Sequence, residues 1–204
     1  IRIPKKDFGI KYEICECLVE RENLVMANIN YRNSNMPKPK IHFRFEDWVP
    51  PKGVEFEFLD SFAEGTSKVK WLYIMGTAGT GKTFLATIIA RLALLKEKRV
   101  YFTGVTELLD NLRPDNDEKA LVLKRCKEYD LLVLDDIGHE KSSEWVRERL
   151  YLIINHRWQE GKATIFTSNF DIESMKERIS PAVYSRVKGF SFEIKLQSKD
   201  RRIS

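Results

Sequence analysis

The residues best placed to do chemistry are Gly76-Thr77-Ala78-Gly79-Thr80-Gly81-Lys82-Thr83, which fit the spacing G-x-x-x-x-G-K-[ST]. Glycines at these positions let a backbone wrap a polyphosphate with successive N–H groups turned inward, since no Cβ obstructs the approach. A helix opening at Lys82 would add its positive dipole end and its free N–H groups. In that arrangement the stretch from Gly76 to Phe84 cradles a nucleoside triphosphate. Lys82 reaches the β- and γ-phosphates, and the Thr83 hydroxyl holds Mg²⁺. Two further clusters lie downstream. Asp135 and Asp136 close the apolar run Leu131-Leu132-Val133-Leu134, and Ser168-Asn169 closes Ala163-Thr164-Ile165-Phe166-Thr167. Asp135 is expected to support Mg²⁺ through its water shell and Asp136 to polarise an attacking water. Asn169 would orient that water against the γ-phosphate, or else cap a helix beginning near Asp171.

These groups meet only if strands deliver them to one edge of a sheet. Val69 to Met75 reads as a buried strand feeding the glycine-rich loop, and Phe84 to Leu95 as a helix buried on most sides. Upstream, Phe56 to Ala63 reads as a short helix ended by Gly65 and Thr66. Downstream, Arg99 to Thr103 is a strand, Thr106 caps a short helix to Arg113, and a second helix runs from Asp117 to Lys127. Ser142 or Ser143 starts a long helix to Trp158 with Val146, Leu150, Ile153 and Ile154 as its apolar stripe. Asp171 caps a helix to Arg178, Pro181 opens another through Val187, and Phe190 to Leu196 is a last strand. Such alternation predicts an α/β fold, a parallel sheet sandwiched by helices, with ligand groups at the carboxyl ends of the strands.

Composition sets outer bounds. A chain of 204 residues suits one α/β domain with a short extension. Its 35 Lys and Arg against 30 Asp and Glu leave +5, which permits contact with nucleic acid without demanding it. No apolar run reaches membrane length, so no membrane partner is expected. An odd set of cysteines, Cys15, Cys17 and Cys126, points to a reducing cytoplasm. Cys15-Glu16-Cys17 is at most half a zinc site, for which His42 is too little, and Cys126 reads as packing. Residues 1–40 read as an arm or linker, with the domain running from 41 to 204. Phe45 and Trp48 either cover a nucleotide base or belong to the core.

Taken together, these residues resemble the AAA+ ATPases across roughly residues 41–204. Within that superfamily they look like the bacterial helicase loaders, the DnaC and DnaI group, and the related IstB-type transposition ATPases. The resemblance rests on Phe45-Glu46-Asp47-Trp48, Gly76 to Thr83, Leu131 to Gly138, Thr167-Ser168-Asn169, Tyr184-Ser185-Arg186-Val187 and Phe192 to Arg202. It implies a P-loop NTPase sandwich of AAA+ type with sheet order 5-1-4-3-2 and little or no C-terminal helical lid. It implies ATP and Mg²⁺ as cofactors, with Lys82, Asp136 and Asn169 catalytic and Arg186 as an arginine finger acting on a neighbouring subunit's ATP. Arg113, Ser143 and Trp145 fall where loaders contact single-stranded DNA, and Arg201 or Arg202 where a second sensor arginine would stand. The implied partners are single-stranded DNA, a hexameric replicative helicase gripped through a segment upstream of Ile1, and further copies of the chain in a ring or helix. The implied activity is ATP-driven helicase loading. The alternatives are assistance to a transposase, or a nucleotide switch that hardly hydrolyses. Asp136 departs from the Glu that many AAA+ ATPases carry.

Overall fold

Five short runs form the sheet: β1 (Trp71–Met75), β2 (Val100–Gly104), β3 (Leu131–Asp135), β4 (Ala163–Ser168) and β5 (Ser191–Lys195). The computed structural model describes residues 29–37, 53–140 and 143–197. Cys15, Cys17, His42, Phe45, Trp48, Arg201 and Arg202 lie outside them. All pairings are parallel and the order is β2-β3-β4-β1-β5, as expected for the AAA+ type. Four consecutive buried residues open each of β1, β2 and β3, the signature of strands covered on both faces.

The helices are α1 (Ile29–Arg32), α2 (Phe56–Glu64), α3 (Lys82–Leu95), α4 (Val105–Asn111), α5 (Lys119–Glu128), α6 (Glu144–Gln159) and α7 (Pro181–Phe190), with a 3₁₀ turn at Ser174–Glu177. On one face α2 and α3 pack over Leu72, Ile74, Val133 and Ile165. Fully buried Ala86, Ala90 and Ala93 let α3 lie close to the strands. On the other face α4 to α7 cover Trp71, Tyr73, Leu132, Leu134 and Phe166. Among the described residues no helix is long and apolar enough to cross a membrane.

Three local expectations change. Thr106 does not cap α4. Val105, only 1 % exposed, is already helical, and the turn starts at Gly104 straight out of β2. Asp171 does accept from the Ser174 amide at 2.8 Å, but only the 3₁₀ turn follows. The chain becomes extended at Ser180, the residue before Pro181, whose own side chain accepts from Val183 N and caps α7. Ser34 and Met36, in the polar stretch read as a linker, are buried, and the Ser34 carbonyl accepts from Phe102 N at 2.7 Å. That bond covers part of the β2 edge.

Arg157 had no sequence signal. It is fully buried on α6 and donates to Thr164 Oγ1 at 2.9 Å and to the carbonyls of Cys126 and Tyr129 at 2.8 and 2.9 Å. It also donates to the Ala163 carbonyl. The guanidinium thus ties the carboxyl end of α5 to the first residues of β4. Burial pushes its pKa down, yet this set of acceptors keeps it charged. Cys126 beside it is buried with its thiol pushed up to about 12, consistent with packing.

Candidate functional site

The glycine-rich loop joins β1 to α3, and steric limits dictate its residues. At Gly76, with φ +157°, a Cβ would lie 2.7 Å from both the Leu196 carbonyl and Thr80 Oγ1. Gly79 (φ +79°) and Gly81 (φ +94°) sit in left-handed conformations. Thr80 Oγ1 donates to the Thr77 carbonyl at 2.8 Å and tightens the turn. Gly81 is the N-cap of α3 and offers no side chain, so no cap side chain occupies the helix's first N–H groups. The Phe84 side chain packs partly buried against the core, which leaves only its backbone to face a ligand.

Lys82 is 7 % exposed, and its ammonium donates to the Gly76 carbonyl at 2.8 Å, the Thr77 carbonyl at 2.9 Å and Asn169 Oδ1 at 2.6 Å. The last bond ties the tip of β4 to the loop after β1. Register explains the meeting: Met75 lies opposite Ser168, and Leu134 opposite Phe166, so the three strand ends converge.

Thr83 Oγ1 donates to Asp135 Oδ1 at 3.0 Å, and Thr167 Oγ1 donates to the same oxygen at 2.6 Å. Thr167 Oγ1 in turn accepts from Asp136 N at 2.9 Å. One buried hydroxyl therefore orients both carboxylate residues, and Asp136 takes a left-handed φ of +62°. Burial, chiefly, raises the Asp135 carboxyl above its ordinary value. The Asp136 charge adds to that, while the Thr167 and Thr83 hydrogen bonds and the Lys82 charge oppose it. A half-buried carboxylate under that pressure, bonded to a hydroxyl that faces the same space, suits a hard divalent cation. Among the described residues no group of three or more His, Cys, Asp or Glu forms a metal cage. A cation here would need phosphate oxygens and water to complete its shell.

Asn169 does not cap the following turn, a role Asp171 takes. Its Nδ2 lies 3.3 Å from Asp136 Oδ1 and 2.7 Å from His139 Nε2. Sequence reasoning missed Thr167 and His139. A hydroxyl just before the polar tip Ser168-Asn169 was the available signal for the first; nothing local marked the second.

Arg186 is not part of this cluster. Its guanidinium carbon lies 4.9 Å from the Trp158 ring centroid and 5.4 Å from that of Tyr151, and Nη1 donates to the Ala182 carbonyl at 2.9 Å. Arg113, Ser143 and Trp145 do come together, lining an open groove of about 600 Å³ with Asp110, Asp115 and Glu140. Ser143 is also the N-cap of α6, accepting from Val146 N, and Trp145 packs in part on the core. Arg113 is paired to Asp110 at 3.1 Å. Among the described lining residues carboxylates outnumber cations, which works against a phosphate backbone.

A family model described as IstB-like ATP binding protein matches residues 12–185. The chain belongs to that family. The replicative helicase loader DnaI of Bacillus subtilis is 34 % identical over 127 residues, 61 % of this chain and 40 % of that protein. The insertion sequence IS232 putative ATP-binding protein of Bacillus thuringiensis subsp. berliner is 30 % identical over 139 residues, 65 % of this chain and 55 % of its own. The chain therefore spans about half the length of these curated relatives. The crystal structure of the DnaC helicase loader superposes with a TM-score of 0.62 at 26 % identity, covering 74 % of this chain and 95 % of that one. AMPPCP-bound DnaA from Aquifex aeolicus, with a TM-score of 0.67 at 20 % identity, shares the AAA+ fold.

Proposed function

We propose that this IstB-like protein hydrolyses ATP at an interface between subunits and uses the cycle to load a replicative helicase onto single-stranded DNA. The observation that carries the hydrolytic part is the convergence of Lys82, Asn169 and Asp136 beside the Thr83–Asp135 pair. The loader part rests on the likeness to DnaI and DnaC, and a cytoplasmic location goes with it.

In this reading the N–H groups from Gly76 to Phe84 hold the triphosphate, and Thr83 and Asp135 hold Mg²⁺. Bound there, it would supply charge neutralisation to the triphosphate. Lys82 exchanges the carbonyls of Gly76 and Thr77 for phosphate oxygens. Asp136 Oδ1 accepts the proton of the attacking water, which the Asn169 amide orients. Arg186 serves a neighbouring subunit's ATP and leaves its aromatic shelf to do so. Arg113, Ser143 and Trp145 contribute a DNA surface only if the carboxylates around them are neutralised or turned away.

A second reading has its own support. The family description and the IS232 likeness favour an ATPase that assists a transposase on duplex DNA. One set of measurements separates these. ATP turnover is followed against protein concentration, with single-stranded or duplex DNA, for the native chain and for Asp136→Asn and Arg186→Ala. Asp136→Asn should keep ATP binding and lose turnover by about 10²- to 10⁴-fold, and Arg186→Ala should abolish any rise with concentration. Unchanged slow turnover in Asp136→Asn would leave a nucleotide switch instead. Capture of a purified hexameric replicative helicase by the full-length protein supports loading. No capture in any nucleotide state, with stimulation by duplex DNA, assigns the protein to transposition.

A further inference from the structure

Asn169 sits between Lys82 and the second carboxylate, and its orientation can be deduced atom by atom. An ammonium only donates, so the amide atom 2.6 Å from Lys82 Nζ is Oδ1. The amide NH₂ then faces His139 Nε2 at 2.7 Å and Asp136 Oδ1 at 3.3 Å. An NH₂ group also only donates, so this contact calls for the lone pair of Nε2, which the tautomer with its proton on Nδ1 presents. In that state the 3.5 Å approach of Nε2 to Asp136 Oδ1 is not an ion pair. His139 therefore serves Asn169 rather than Asp136.

The imidazole is itself held in place. Its ring lies 5.0 Å from the Phe170 ring, centroid to centroid. The Arg178 guanidinium stands 3.7 Å over Phe170, and Arg178 Nη1 donates to the Gly138 carbonyl at 3.2 Å. Gly138 has φ +98°, and a Cβ there would meet Met175 Sδ at 2.7 Å, so the turn carrying His139 is fixed by contact on both sides. Tyr73 OH donates to the Phe170 carbonyl at 2.9 Å and anchors the same column to β1.

We propose that His139 is a positioning residue: its Nε2 selects the amide orientation of Asn169 that turns Nδ2 toward Asp136. This rests on the hydrolytic reading above. The terminal torsion of an asparagine is broad and roughly two-fold, so the amide needs an outside partner to choose one face. In this structure both Lys82 and His139 make that choice. Once a triphosphate draws Lys82 to its phosphates, His139 and Asp136 are left to hold the amide. The effect therefore belongs in the turnover step and not in nucleotide binding.

The test compares the native chain with His139→Ala and His139→Gln, whose Oε1 can accept as Nε2 does. His139 is 42 % exposed at its side chain, so neither change opens the core. For His139→Ala, kcat should fall about 10- to 100-fold while KM and the affinity for a fluorescent ATP analogue hold within about twofold. His139→Gln should recover most of the loss. The second readout is the side-chain ¹⁵N–¹H pair of Asn169, assigned by its disappearance in Asn169→Asp. It should move in His139→Ala and return toward its native position in His139→Gln. An unmoved amide signal, an unchanged kcat, or a loss of affinity equal to the loss of kcat each overturns the assignment. If the native chain proves not to turn over ATP, the hydrolytic reading fails on its own. The amide signal still decides whether His139 orients Asn169.

Discussion

Thr167→Val removes a single oxygen and leaves the shape of the side chain otherwise intact. That oxygen donates to Asp135 Oδ1 at 2.6 Å and accepts from Asp136 N at 2.9 Å. Thr167 is 1 % exposed, so water cannot take its place. A hydrogen bond to a charged group contributes about 1.5–3 kcal/mol, and a buried N–H left unpaired costs about 1–3 kcal/mol. The added methyl returns about 0.8 kcal/mol. The net loss is about 2–5 kcal/mol, which for a chain of this size lowers Tm by roughly 4–20 °C. The change reaches chemistry as well. Losing the Thr167 bond removes the largest force opposing the upward push on the Asp135 carboxyl. It also frees the Asp136 backbone from its left-handed φ of +62°. ATP turnover should then fall about 10- to 100-fold. Thermal melts and a phosphate-release assay on the native chain, Thr167→Val and Thr167→Ser make the test, with the serine recovering most of both losses. A valine variant melting within about 2 °C of the native chain, with turnover intact, would refute the view that one hydroxyl orients both carboxylates.

Two other perturbations have clear signs. Arg157→Met strands the carbonyls of Cys126, Tyr129 and Ala163 in the interior and should destabilise the fold by about 3–5 kcal/mol, read as a lower urea midpoint. Arg157→Lys should restore little of this, because an ammonium cannot match the planar fork; near-native stability in either variant would contradict the argument. Asp135 sets a pH dependence. Its folded carboxyl is raised above the ordinary 3.8, so the folded chain keeps this proton to higher pH than the unfolded chain does. Its contribution to stability therefore falls as pH rises through that window, and at neutral pH the ionised group is a net cost. Without nucleotide, Asp135→Asn should melt above the native chain at pH 7, by a margin that shrinks toward pH 4, and on the proposed function it should lose the stabilisation expected from Mg²⁺ with ATP. A margin that does not change with pH would count against burial as the cause.

The phosphate loop and the strand-end carboxylates were legible because their signals are local. Eight consecutive residues specify the loop, and four apolar residues before Asp135 specify a covered strand. Sheet order followed from the resemblance. What escaped notice was fixed by contacts between segments far apart in sequence. Thr167 acts on residues 31 and 32 positions away, His139 on one 30 away, and Arg157 on carbonyls 28 and 31 away. No periodicity encodes such pairs. Local rules also lost where burial competed with them: Thr106 was a plausible cap, but with Val105 buried the cap is Gly104, two residues earlier. Residues 1–40 read as an arm or linker, and within them the Ser34 carbonyl pairs with the edge of β2; backbone pairing leaves no trace in composition.

The Lys82 ammonium joins two parts of the site. It donates to the carbonyls of Gly76 and Thr77 and to Asn169 Oδ1. In the proposed function a triphosphate displaces the two carbonyls, since a charge-assisted bond to phosphate is the stronger partner. The bond to Asn169 is different, because it joins the loop after β1 to the tip of β4 rather than closing the loop on itself. Nucleotide binding that draws Lys82 away therefore alters what holds Asn169, and through its Nδ2 what faces Asp136. The phosphate loop and the carboxylate cluster are in this way one mechanical unit, with the Lys82–Asn169 bond as its joint.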